Sequence, residues 1–270
     1  MKSCVTIALV SAIKTGPWIY WNDLETSMAK AAALGFDAVE LFTPAADTVS
    51  LSLLTDLTHR YNLNVAAVGT GAGKVLYGLT LTDPDPQIRA SAIAFIGAMI
   101  SFGATVGAPA IIGSMQGNVA PGIEKEQALN WLADGLSELG QLAESKGVKL
   151  IYEPLNRYET NLINDLNTGV EFIRALPTRQ VVLLADLFHM NIEEQSLPES
   201  IRAAGSYIGH VHFADSNRRP IGLGHTAMEE VATALREIGY TGYVSAEAFP
   251  YPNPDQAARQ TIQSFKMYFG

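Results

Sequence analysis

Four side chains of metal-ligating type stand where apolar runs come to an end. They are Glu153 after Lys-Leu-Ile-Tyr, Asp186 after Val-Val-Leu-Leu-Ala, His212 in His-Val-His-Phe-Ala-Asp, and Glu247 after Tyr-Val-Ser-Ala. Three carboxylates aimed at one place repel each other and raise each other's pKa unless positive charge sits among them. A divalent cation supplies that charge, and the imidazole adds a neutral nitrogen. Two Glu, one Asp and one His make an oxygen-rich set that suits Mn²⁺, Mg²⁺ or Co²⁺ better than a structural zinc. Octahedral coordination leaves about two positions for adjacent substrate oxygens. A cation chelated by a ketone oxygen and its neighbouring hydroxyl acidifies the C–H bond beside them and stabilises the resulting cis-enediolate. Two carboxylates on opposite faces of that carbon can then remove a proton from one side and return one from the other. Glu153 and Glu247 are read as this acid/base pair. A single base working on one face would give an aldose–ketose shift instead, and the residues leave that choice open.

Singly, each of these residues has a plainer reading. Glu153 could pair with Arg157, and His210 and His212 share a strand face, so either is open to a satisfied core role. Their spacing joins them. The separations are 33, 26 and 35 residues, about what one strand, one helix and two loops consume in a barrel of eight βα units. Ligands one unit apart converge at the strand C-termini, where such barrels place their chemistry.

The elements needed to position them follow from hydrophobic periodicity. Short apolar runs predict strands at Val5–Leu9, Ala38–Leu41, Val65–Val68, Ala110–Ile112, Leu150–Tyr152, Val181–Ala185, Ile208–Phe213 and Tyr243–Ala246. Amphipathic stretches between them predict helices at Asp23–Leu34, Leu51–Tyr61, Ile88–Val106, Lys125–Lys146, Thr168–Ala175, Pro198–Ala204, Ala227–Ile238 and Asp255–Tyr268. Near-continuous apolar strands alternating with helices signal a parallel sheet covered by helices. Eight pairs with no Pro-, Gly- or Ser-rich linker predict a single (β/α)₈ TIM barrel spanning residues 1–270 as one domain. Two segments echo each other, Leu34-Gly35-Phe36-Asp37-Ala38-Val39-Glu40 and Ile238-Gly239-Tyr240 through Glu247, each placing Gly where a helix C-terminus takes a left-handed residue. An open doubly wound sheet fits less well, because the turn after the first strand is not G-x-G-x-x-G. Gly69-Thr70-Gly71-Ala72-Gly73-Lys74 lacks the full phosphate-loop spacing.

The 270 residues are 48% hydrophobic and 17% charged, as in a globular protein, and the net charge of −9 disfavours a nucleic-acid partner. Cys4 is the only cysteine, so an intrachain disulfide and a thiolate-rich metal site are both excluded. The N-terminal run reads as a first strand rather than a signal peptide, no apolar run is expected to reach a membrane span, and a cytoplasmic location is expected.

Tyr152-Glu153-Pro154-Leu155-Asn156-Arg157-Tyr158-Glu159-Thr160 and Ala185-Asp186-Leu187-Phe188-His189-Met190-Asn191-Ile192-Glu193-Glu194 strongly resemble the ketose 3-epimerases of the sugar isomerase/epimerase superfamily, whose barrel is xylose-isomerase-like. His210 to Arg218 and Gly222-Leu223-Gly224-His225 extend the match over most of the C-terminal half. Ala67 to Gly71 and Gly78 to Thr82 look like the branch containing 5-keto-L-gluconate epimerase. The resemblance implies that Glu153, Asp186, His212 and Glu247 hold Mn²⁺ or a similar ion, with both Glu residues moving protons. It also implies that His189 and Arg218 bind carbonyl-side oxygens of a small sugar, that Glu159 orients His189, and that the chain forms a homodimer or homotetramer. The expected function is a divalent-metal-dependent epimerase of a keto sugar or keto sugar acid. The alternatives on the same site are an aldose–ketose or hydroxypyruvate isomerase and a keto-glycoside epimerase. An abasic-site endonuclease is disfavoured, since its three-zinc cluster needs more histidines than the five present. A non-catalytic sugar-binding barrel would not need the second ligating Glu.

Overall fold

Lys2–Ala8 (β1), Ala38–Phe42 (β3), Asn64–Gly69 (β4), Ala110–Ile112 (β5), Leu150–Tyr152 (β6), Val181–Asp186 (β7), Ile208–His212 (β8) and Tyr243–Ala246 (β9) pair in sequence order, all parallel, and β9 returns to pair with β1. The computed structural model describes residues 1–270, and in it this sheet closes into the expected eight-stranded barrel. A two-residue strand, Tyr20–Trp21 (β2), adds to β1 at Ile7 and Ala8, beyond the residues of β1 that pair with β9.

The eight predicted helices all form, with bounds within two residues of the expected ones: Leu24–Leu34 (α1), Leu51–Tyr61 (α2), Pro86–Ala104 (α4), Lys125–Ser145 (α5), Leu166–Ala175 (α6), Leu197–Ala204 (α8), Met228–Glu237 (α9) and Pro254–Phe269 (α10). Local chemistry sets these ends. Asp23, Ser50, Asp85, Asp165, Ser196 and Asn253 each cap a helix N-terminus with a side-chain oxygen. Gly35 and Gly239 adopt the left-handed conformation expected of the echo, at φ +82° and +69°. Two short helices were not predicted, Ala72–Tyr77 (α3) and Leu187–Glu193 (α7). The second begins at Asp186, whose Oδ1 accepts from the amides of Phe188 and His189, so His189 lies in a helix rather than the expected loop.

Helix α4 has 19 residues, and an 18-residue window of it reaches a mean hydropathy of 1.3, enough by length and composition to cross a membrane, although Gln87, Arg89, Ser91 and Ser101 interrupt its apolar run. Its small and apolar residues are used here to pack on β4, β5 and α5.

Most of the core, 64 buried residues in one cluster, lies between the strands and their helices. Inside the barrel, Ala67, Ile111, Ile151 and Leu184 form a small apolar cluster. Side chains two residues apart on a strand share a face. Register pairs Leu184 with His210 and Asp186 with His212, so those four side chains form two successive layers. The upper layer ends at the C-terminal mouth.

The seam between β1 and β9 is tied by Thr6. Its buried hydroxyl donates to the carbonyl of Ala246 at 2.8 Å and accepts from the amide of Ile19 at 3.0 Å. Ala246 immediately precedes Glu247, so the seam also anchors a site residue. Thr6→Val keeps the shape and removes both bonds, and leaving buried polar groups unpaired costs about 1–3 kcal/mol. Chemical denaturation should show a stability loss of that order.

Candidate active site and metal centre

Glu153 follows β6, Asp186 and His212 end β7 and β8, and Glu247 follows β9. One donor atom from each of these four buried residues lies within 4.8 Å of the others. His212 Nδ1 is 3.1 Å from Asp186 Oδ2, 3.4 Å from Glu153 Oε1 and 3.7 Å from Glu247 Oε2. Asp186 divides its oxygens, Oδ1 capping α7 and Oδ2 facing the cluster. His212 divides its nitrogens in the same way. Its Nε2 lies 3.1 Å from Glu40 Oε1, while Glu40 Oε2 lies 2.6 Å from His210 Nε2. Of the two histidines on this strand face, His212 therefore joins the cluster and His210 is satisfied in the core.

The backbone around Glu153 is fixed by Gln116, whose side-chain amide donates to the carbonyls of Gly113 and Glu153, each at 2.9 Å. Tyr152 donates its hydroxyl to the other end of Gln116 at 2.8 Å. A Cβ on Gly113 would collide with the Glu153 carboxylate, so that position is glycine because the carboxylate passes over it.

Charge in this buried cluster is finely opposed. Burial pushes the Glu153 carboxyl up to about 7, against the pull of His212 and with a further push from Glu247. Burial also works to raise Asp186, but His189 and His212 hold it well below the usual carboxylate range. Glu40 behaves likewise, held low by His212 and His210 despite burial. Burial opposes charge on His212, yet Glu40 and Glu247 raise its pKa well above the imidazole value. Glu153 Oε1 has no hydrogen-bond partner although it is buried among these groups. An orphaned carboxylate oxygen within an oxygen-rich set of four converging donors fits a divalent cation.

The remaining predicted residues line the same cavity, of about 230 Å³. His189 presents Nε2, buried and unpartnered, 4.0 Å from Glu153 Oε1 and 3.8 Å from Asp186 Oδ2. Its other nitrogen takes the amide N–H of Asn156 at 3.2 Å and faces the Asn156 side-chain amide at 2.7 Å. Glu159 lies 4.0 Å from His189 Nδ1, so the residue bonded to the ring is Asn156, which sequence reasoning passed over within its own motif. Arg218 donates to Glu247 Oε2 at 2.7 Å, lies 3.4 Å from Glu159, and stacks over Phe188 at 4.7 Å. Its backbone sits in the left-handed region, at φ +59°. Asp215 pins that loop by accepting the amides of Ser216, Gly222, Gly224 and Thr226. His225 is exposed outside the cavity lining, its amide donating to Ser216. The opposite wall is apolar, with Val10, Ile13, Trp18, Phe42 and Val75.

Residues 28–268 match the family model of the xylose isomerase-like TIM barrels. The chain is 32% identical over 244 residues to a D-psicose 3-epimerase of Ruminiclostridium cellulolyticum, covering 86% of this chain and 82% of that one. The chain belongs to the ketose 3-epimerase family. A crystal structure of a member, D-psicose 3-epimerase with D-tagatose from Clostridium cellulolyticum, superposes on this family barrel with a TM-score of 0.80 at 26% identity, covering 99% of both chains. A 3-dehydro-D-guloside 4-epimerase of Escherichia coli is 34% identical over 132 residues, 48% of this chain and 50% of that one.

Were the cluster to take a divalent cation, its electrostatics would give that binding a pH dependence. A cation can take Glu153 only as carboxylate and His212 Nδ1 only without its proton, so it competes with protons at both. Below pH 7, binding should release about two protons, and above pH 7 about one, from His212. Calorimetric Mn²⁺ titration in buffers of different ionisation enthalpy should show affinity rising with pH, more steeply below pH 7 than above.

Proposed function

We propose that this chain is a divalent-metal-dependent ketose epimerase that inverts the carbon next to the ketone, with C3 of a free ketose as the reacting centre. The observation that carries this reading is the convergence of Glu153, Asp186, His212 and Glu247 on one point, with His189 Nε2 and the Arg218 guanidinium on the same cavity. Glu153, Asp186, His212 and Glu247 would hold the cation, Mn²⁺ in our reading with Mg²⁺ or Co²⁺ as alternatives, and it would supply the positive charge that acidifies the C–H bond beside the ketone.

The chain's own groups do the rest. Asn156 bonds His189 Nδ1, which leaves Nε2 to donate to a substrate oxygen. Arg218 offers further donors from its planar fork. One of Glu153 and Glu247 takes the proton from the reacting carbon, giving an enediolate of the substrate, and the other delivers a proton to the opposite face. The cavity lining contains no lysine and one arginine, Arg218, already engaged by Glu247. That favours a neutral ketose over a keto sugar acid, whose carboxylate would find no free cation on the apolar wall.

A second reading rests on the identity to the 3-dehydro-D-guloside 4-epimerase: the same machinery acting at C4 of a 3-keto-glycoside. NMR of candidate substrates incubated with Mn²⁺ in D₂O separates the two. Deuterium at C3 of a free ketose supports the first, and deuterium at C4 of a 3-keto-glycoside with inert ketoses selects the second. Absence of exchange from both rejects the enediolate. Glu153→Gln and Glu247→Gln should each slow exchange by about 100- to 10,000-fold, the usual worth of a positioned acid or base. Full activity in either variant would reject the two-carboxylate scheme.

A further inference from the structure

Glu40 stands outside the four-residue cluster and has no exposed surface, yet both its oxygens are used. It ends up beside histidines 170 and 172 residues away by reaching across the barrel interior, since β9 and β1 lie between β8 and its own strand β3. We propose that Glu40 is the positioning residue of the metal centre: its carboxylate fixes His212 with the proton on Nε2 and the Nδ1 lone pair facing the cation. The inference rests on the metal reading given above.

A carboxylate only accepts, so without a metal both His212 nitrogens carry protons, Nε2 toward Glu40 Oε1 and Nδ1 toward Asp186 Oδ2, each at 3.1 Å. A cation among Asp186, Glu153 and Glu247 would displace the proton on Nδ1 and leave the one on Nε2, held by Glu40. Without an acceptor at Nε2, the ring is free to carry its proton on either nitrogen and to turn about its χ2. His210 completes the device. Its Nε2 holds the other oxygen of Glu40 at 2.6 Å, and its ring stands edge-on to His212 at 5.5 Å and 80°. The carboxylate is therefore itself held in place before it orients the ligand. Carboxylates that orient a metal-binding imidazole in this way typically contribute about 10- to 100-fold in metal affinity.

The test uses the full chain and Mn²⁺ alone as the probe, with titration calorimetry as readout and far-UV circular dichroism as the check on folding. Glu40→Met removes the acceptor at similar length, and should weaken Mn²⁺ binding by about 10- to 100-fold. Glu40→Gln retains one carbonyl acceptor and should recover part of that loss. A folded Glu40→Met variant with wild-type affinity overturns the inference alone. Failure of the wild type to bind Mn²⁺ overturns the metal reading and this inference with it. Should Glu40→Met not fold, ¹⁵N-histidine spectra of the Mg²⁺-loaded wild type decide. A proton on His212 Nε2 upholds the assignment, and a proton on Nδ1 overturns it.

Discussion

Burial of like charge is the constraint around which this molecule is arranged. Glu40, Glu153, Asp186 and Glu247 all lie below the surface of one barrel mouth. Removing a carboxylate from water costs several kcal/mol even after relaxation, so none can stand there without a partner. The answer is an alternation of acid and base: His210, Glu40, His212, then the three carboxylates, then His189 and Arg218. His210 and His212 each contact a carboxylate, His189 lies 3.8 Å from Asp186, and the guanidinium closes the sequence on Glu247. Glu153 is the member least well compensated, with an orphaned oxygen and a carboxyl raised by burial. Further positive charge would therefore be best accommodated beside Glu153.

Rigidity of that arrangement comes from backbone rather than from the charges themselves. The carbonyl of Glu153 is tied through Gln116 to Tyr152, the carbonyl of Ala246 to Thr6, and Asp186 to the first turn of α7. Arg218 holds the left-handed conformation because Asp215 gathers four amides of its loop, and its own carbonyl accepts from Phe249. A loop so bonded can present a charged side chain as firmly as a strand does. The four clustered residues come from strand ends, and Glu159, His189 and Arg218 come from the loops and the short helix that follow.

Much of this was legible in the sequence, and the parts that were not share a physical reason. Strand ends carrying Glu153, Asp186, His212 and Glu247 repeat at the length of a βα unit, so their convergence can be counted along the chain. The eight long helices declare themselves by period and by caps. Glu40 could be seen to end a strand, but its partners lie across the barrel, and no local spacing encodes a contact between strands that do not pair. Asn156 sits inside the motif that carried the resemblance, and its bond to His189 depends on the course of the β6–α6 loop. Helices α3 and α7 and strand β2 are too short for periodicity to register. The run Gly69 to Lys74, which superficially resembles a phosphate loop, proves to be wall and packing: a Cβ at Gly69 would collide with Phe42, and Gly69, Thr70, Gly71 and Ala72 line the cavity.

The two halves of that cavity differ in character. The ionic half, built by β6 to β9 and the segments after them, holds the clustered carboxylates with His212, His189 and Arg218. The other half comes from the segment after β1, the ends of β3 and β4, and α3. There Trp18 packs against Trp21 at 5.1 Å and Phe42 at 5.2 Å. Those walls offer shape and apolar surface, and their threonine hydroxyls are already spent as donors, Thr43 to Ala45 and Thr70 to Ile111. In the proposed scheme, which carbon meets the carboxylates would depend on how far the remainder of the sugar settles against Trp18, Phe42 and Val75. An epimerase acting at C3 and one acting at C4 of a shifted substrate would need the same ionic half and a different wall. On that reading the determinants of outcome would lie in the first half of the chain, where residue types and spacing carry the least chemical signal.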